Sequence, residues 1–141
     1  MAEKLFCTFL VDKLFFGVEV TKVQEVISYQ MTTLVPLSLP VIHGLINLRG
    51  QIITTIDLRR RLEMADSAAE IVPMNVIVDI NGEVVSLLVD KAEDVLHVAE
   101  DAFEPAPETL QGVARELICG AYKLKNHLLL VLDIEKTVNF V

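Results

Sequence analysis

Apolar residues in this chain fall into short runs of strand length, separated by Asn, Asp, Gly and Lys, and many of them are β-branched. Residues 6–10 and 15–18 flank Val11-Asp-Lys-Leu14, just as residues 75–79 and 84–87 flank Ile80-Asn-Gly-Glu83. Each set reads as strand, tight turn, strand, with Asn81-Gly82 the favoured two-residue turn. Helix is confined to short pieces: residues 21–25 with Thr21 as a cap, 39–44, 58–62, and a longer stretch at 107–116 with Thr109 as a cap.

The chain also repeats itself. Gly17-Val-Glu-Val-Thr-Lys-Val-Gln-Glu-Val-Ile27 lies without a gap over Ser86-Leu-Leu-Val-Asp-Lys-Ala-Glu-Asp-Val-Leu96, an offset of 69 residues, and the same offset superposes the two hairpins. A second block, residues 42–58, lies over residues 118–134 at an offset of 76, with Ile, Gly, Leu and Asp recurring and Arg49 meeting Lys125. The second copy therefore carries seven extra residues, in the acidic and proline-bearing stretch 99–112, which reads as a surface excursion. Each copy supplies about five short strands. Copies this small are marginal alone, and their continuous apolar strands ask for burial on both faces. The expectation is an all-β fold with short helices: two intertwined five-stranded SH3-like or OB-like barrels sharing a hydrophobic core, since closure removes unpaired edges. The chain is one domain over residues 1–141, with subdomains at roughly 10–70 and 75–138 and terminal strands open to exchange.

Composition narrows the function classes. Of 141 residues, 50 are Val, Ile or Leu, and the 52% hydrophobic content rules out disorder. The formal charge of −8 opposes binding to nucleic acid or to an anionic membrane. Cys7 and Cys119 lie far apart in apolar settings without ligand spacing, which fits reduced thiols and a cytoplasmic location. No apolar run is long enough to span a membrane, and the start Met-Ala-Glu-Lys lacks the basic and apolar regions of a signal peptide.

Candidate chemistry is sparse. No nucleophile elbow, zinc-protease, Walker or dinucleotide motif is present. Cys119, His127 and Asp133 share one predicted hairpin and are the best available triad, though packing is the better reading for the cysteine. His43, His97 and His127 are too dispersed for a metal site. The expectation is no enzyme, no metal, no cofactor and a monomer in isolation. Asn47-Leu-Arg-Gly50 is sharper: a turn presents Arg49 from an apolar stretch, suited to forking onto a carboxylate or bracing an interface. Arg59-Arg60-Arg61 reads as a solvated charge run. In Val20-Thr-Lys-Val-Gln-Glu-Val26 a helical turn would set the three valines on one side with Lys22 and Glu25 at the rim, and Ala92 stands opposite Val23. A cleft between the barrels lined by these segments would receive a partner's helix.

These residues resemble a known family. Phe16-Gly-Val-Glu-Val, Lys22-Val-Gln-Glu-Val, Gly44-Leu-Ile-Asn-Leu-Arg-Gly-Gln-Ile-Ile, Ile56-Asp-Leu-Arg59 and Leu88-Val-Asp90 are similar to the CheW coupling proteins of bacterial chemotaxis, over residues 5–138. The resemblance implies a non-catalytic adaptor between the cytoplasmic tip of chemoreceptors and the regulatory domain of a CheA-type histidine kinase, recruited to receptor arrays at the inner face of the membrane. It implies receptor-facing roles for Val20, Val23, Glu25, Val26 and Ala92, and a coupling role for Arg49. Ser86 stands where the family usually has Gly, and Thr55 replaces a common proline. Alternatives are a small-ligand sensor with its ligand between the barrels, or a CheW-like scaffold serving pili or gene regulation.

Overall fold

The structure is a computed structural model that describes residues 3–66 and 70–139; the first two residues of the Met-Ala-Glu-Lys start lie outside the described residues. Eleven strands occur among the described residues: β1 (Glu3–Val11), β2 (Leu14–Glu19), β3 (Val23–Ser28), β4 (Ile42–Leu48), β5 (Gln51–Asp57), β6 (Met74–Ile80), β7 (Glu83–Val89), β8 (Lys91–Ala99), β9 (Phe103–Glu104), β10 (Ile118–Lys123) and β11 (Leu128–Leu132). The short helices are α1 (Leu58–Arg61), α2 (Gly112–Leu117) and α3 (Ile134–Val138), with single 3-10 turns at Val20–Lys22 and Glu100–Ala102.

The strands form two sheets, ordered β3-β6-β7-β5-β4 and β8-β1-β2-β11-β10-β9. With the repeat applied, β1, β2, β3, β4 and β5 correspond to β6, β7, β8, β10 and β11, and one order becomes the other. The sheets are not the two halves of the chain. Each takes its central hairpin from one copy and its flanking strands from the other, so the copies interlock. The copies meet at four pairings: the parallel β5 with β7 and β11 with β2, and the antiparallel β3 with β6 and β1 with β8.

Both sheets close on themselves by the same device. After β3 the chain runs to Thr33, which exchanges two 2.8 Å hydrogen bonds with Leu45 of β4. After β8 it runs to β9, where Glu104 pairs with Ala121 of β10. First and last strands are thereby joined, as the barrel expectation requires. Gly44 and Gly120, equivalent in the repeat, sit at bulges beside these junctions. A Cβ on Gly44 would come within 2.7 Å of the Thr33 carbonyl oxygen, and one on Gly120 within 2.7 Å of that of Glu104. The absence of a side chain is what lets the closing segment approach.

Phe9 and Phe16 from one sheet and Ile56, Val76 and Leu87 from the other share the main core. Smaller cores fill the barrels: Phe6, Tyr122 and Leu129 in one, Ile46, Leu48, Ile53 and Ile77 in the other. The central strands are buried on both faces, as their unbroken apolar runs require; residues 75–78 of β6 are all buried.

Several local expectations change. The Leu39–Gly44 region is not helical: a turn leads directly into β4, because Val41 and Ile42 are β-branched and strand pairing with β5 satisfies their backbone. α2 begins only at Gly112, since Pro107 to Leu110 forms a turn closed by the Leu110 N–H on the Pro107 carbonyl, and Thr109 caps nothing. α3 went unread, although the repeat announces it. Asp133 lies over Asp57, and each carboxylate caps its helix, accepting the Lys136 N–H at 3.1 Å and the Arg60 N–H at 3.3 Å.

Candidate partner-binding site

The segment expected to present three valines on one helical face is mostly strand. The 3-10 turn covers only Val20–Lys22, without a side-chain cap, and β3 begins at Val23. Pairing with β6 and the β-branched residues favour the strand. Alternation then separates the valines: Val23 packs against the shared core, opposite Val78, whereas Val26 faces solvent. Val20 is half-buried in the 3-10 turn. Ala92 occupies the matching place on β8, in register with Phe9, its N–H directed at Met74 Sδ at 3.5 Å. Val95, the repeat partner of Val26 and equally an edge-strand residue facing out, was not singled out from sequence; the repeat itself would have found it.

Arg49 and Glu25 come together. The β4–β5 turn places Arg49 at φ 52° and Gly50 at φ 86°, the left-handed pair of a two-residue hairpin turn, and Asn47 Oδ1 accepts the Gly50 N–H at 2.9 Å. From this tip the guanidinium forks onto Glu25 of β3, Nη1 donating to Oε1 at 3.3 Å and Nη2 to Oε2. The guanidinium side chain is 66% exposed and that of Glu25 26%. The hydrogen bond from Arg49 holds the Glu25 carboxyl below the usual carboxylate range. Ile52, exposed on the adjoining β5, and Val26 lie on the strands that bear the fork. The arrangement is a fixed polar anchor beside apolar surface, the anatomy of a protein–protein contact.

The arginine run is not uniformly solvated: it follows Leu58 in α1, and the helical advance of about 100° per residue sends the three side chains in different directions, with only Arg60 exposed. Arg59 is buried and pairs with Asp90; Arg60 reaches Asp66 at 3.1 Å and the Pro40 carbonyl at 3.1 Å. Arg61 donates to the carbonyls of Thr137 and Lys136 at the end of α3.

The triad residues do not converge. Cys119 Sγ donates to the Val131 carbonyl, Asp133 caps α3, and His127 stands edge-on to Phe15 with ring centroids 4.7 Å apart, lining a different cavity from the other two. Burial, and then the charge of Asp133, push the Cys119 thiol up, opposite to an activated nucleophile. His43 bonds Tyr29 and His97 meets Glu3; among the described residues no three His, Cys, Asp or Glu are grouped to hold a metal. Among the described residues no helix is long and apolar enough to cross a membrane. A cavity of about 820 Å³ is an open cleft at one end of the six-stranded barrel and not an enclosure between the barrels.

Known proteins share this architecture. The chain is 34% identical over 125 residues to a chemotaxis protein CheW of Bacillus subtilis, covering 89% of this chain and 80% of the relative. It is 31% identical over 124 residues to one of Klebsiella aerogenes, covering 88% and 75%. The crystal structure of a CheW scaffolding protein from Thermoanaerobacter tengcongensis superposes with a TM-score of 0.82 at 27% identity, covering 93% of this chain and 89% of that one. A sequence profile of the CheW-like domain matches residues 5–140. Nearly every described strand falls inside that match, and the protein belongs to the CheW-like domain family.

Proposed function

We propose that this protein is a non-catalytic cytoplasmic adaptor that couples the cytoplasmic tips of chemoreceptors to a CheA-type histidine kinase. The observation that carries the reading is the Glu25–Arg49 fork: an exposed arginine on a left-handed turn is held in one orientation by a carboxylate of β3, and β3 and β5 expose Val26 and Ile52. A solvated side chain needs no such restraint, whereas a partner that must read a planar fork benefits from its being ordered beforehand. The net charge of −8 disfavours nucleic acid as the partner. The chain's similarity to chemotaxis and scaffolding proteins supports this role.

The test is titration of a receptor-tip fragment and of a kinase regulatory domain against the wild type, Val26→Asp and Arg49→Ala, each with a melting curve. The expected result is affinity for at least one partner lowered by about tenfold or more in each variant with melting unchanged. Folded variants that bind both partners like the wild type would overturn the site assignment. A wild type that binds neither would overturn the function.

A further inference from the structure

We propose that the open end of the six-stranded barrel is a binding site for a long-chain carboxylate, its alkyl chain in a leucine-lined cleft and its head group between Lys13 and Lys125. This inference stands apart from the adaptor role and concerns a different end of the molecule.

The two barrels, superposed through the repeat, differ at this end. The small cores match through the repeat, except that Ile77 and Ile27 of the five-stranded barrel's core are replaced by Thr8 and Leu96, which line the cleft of the other; in the five-stranded barrel the Glu25–Arg49 fork also bridges β3 to the β4–β5 turn. The corresponding residues of the six-stranded barrel are Asp94 and Lys125, and no ion pair joins them among the described residues. There the end stays open as a cavity of about 820 Å³. That volume lies within the range of small-molecule pockets, roughly 300–1,000 Å³.

The lips differ in chemistry as well. Where the five-stranded barrel carries Asp79 and Glu83, both exposed, the six-stranded barrel carries Leu10 and Leu14 lining the cleft. Phe15, Leu96, Leu124 and Leu128 extend the same surface. A rim of leucines at positions that the sister barrel gives to carboxylates leaves apolar surface facing water unless something covers it.

Charge indicates the head group. Lys13 at the β1–β2 turn and Lys125 at the β10–β11 turn both line the cleft, and neither has an ion pair among the described residues. The two ammonium groups sit on neighbouring turns, because β2 and β11, which follow these turns, pair in parallel. The acidic groups at the mouth, Glu93 and Asp94, belong to β8, and Glu93 is already engaged by Lys91 at 4.0 Å. An apolar body with one anionic end satisfies both the leucines and the lysines.

Calorimetric titration of the intact protein with dodecanoate, below its micelle concentration, tests the site, with dodecylammonium as the comparison. The expected result is saturable binding of one dodecanoate per chain, with dodecylammonium weaker by about tenfold or more. Lys13→Gln with Lys125→Gln should remove that preference. Leu10→Asp with Leu14→Glu, which installs the sister barrel's residues, should abolish binding of both probes. Val72→Lys, exposed and outside the cleft, should leave dodecanoate binding unchanged. Absence of saturable dodecanoate binding, as when the cleft instead seats a protein segment, overturns the proposal. So does dodecylammonium binding as tight as dodecanoate, or dodecanoate binding that survives in a folded Leu10→Asp, Leu14→Glu variant.

Discussion

Arg59 grips Asp90 through two hydrogen bonds, Nε to Oδ1 at 2.9 Å and Nη2 to Oδ2 at 2.5 Å, and Asp90 Oδ2 also accepts the backbone N–H of Asp12 at 2.7 Å. The Asp90 N–H in turn donates to the Leu10 carbonyl at 3.0 Å. Arg59 and Asp90 follow strands of one sheet and Asp12 belongs to a turn of the other, so this knot ties the barrels together. Removing one partner of a buried pair leaves the other charge uncompensated. Arg59→Ala should therefore cost about 3–5 kcal/mol of unfolding free energy, measured by urea titration.

Acid should erase the contribution of the same pair. Burial by itself would raise the Asp90 carboxyl, but the Arg59 hydrogen bond, the Asp12 N–H and the Arg59 charge outweigh it and hold the group below the usual range. A carboxyl lowered on folding stabilises fully above its unfolded value of about 4 and loses that stabilisation as pH falls toward its folded value. The stability gap between wild type and Asp90→Asn should thus be constant from neutral pH to about pH 5 and narrow below. A gap that widens in acid would contradict the assignment.

Barrel closure depends on the two glycines beside it. Gly44→Ala and Gly120→Ala press a methyl group onto the Thr33 and Glu104 carbonyl oxygens, which are backbone and cannot rotate away. Each should cost about 1–3 kcal/mol. In Gly44→Ala, amide exchange at Thr33 and Leu45 should accelerate more than exchange in the β6–β7 hairpin.

Thr55 and Ser86 are register partners on the parallel β5–β7 pair, both fully buried. Ser86 Oγ accepts from Asn75 Nδ2 at 2.9 Å, but Thr55 Oγ1 has no partner among the described residues. Thr55→Val keeps the shape and removes an unsatisfied hydroxyl, so it should raise stability by about 1 kcal/mol. A fall of that size in thermal unfolding experiments would point to a bound water at this site.

Val23 and Val26 should respond in opposite ways. Val23→Asp pushes a carboxylate toward the shared core and should destabilise the fold by about 2 kcal/mol or more. Val26→Asp, on the outer face of β3, should leave the melting temperature unchanged. Thermal unfolding of the two variants side by side separates the core residue from the surface one.

The sequence by itself determined what is local or self-similar. The hairpins and the Asn81-Gly82 turn follow from alternation and turn chemistry, because each is set by neighbours within a few residues, and the duplication follows from comparison of the chain with itself. Arg49 was legible as an arginine seeking a carboxylate, because a turn that lifts one cation from an apolar run leaves it little else to do. Only the tertiary structure decided which copy's hairpin completes which sheet: β1–β2 and β6–β7 carry the same pattern, so nothing local distinguishes the exchanged arrangement from the unexchanged one. It also decided that Val23 turns inward, since strand pairing with β6 replaces the helical period with a period of two. Arg59 looked like one of three solvated arginines until Asp90, 31 positions along the chain, was brought to it by the interlocking of the copies. Partners across sheets are chosen by the summed burial of both surfaces, a quantity that belongs to the assembled core and to no single segment.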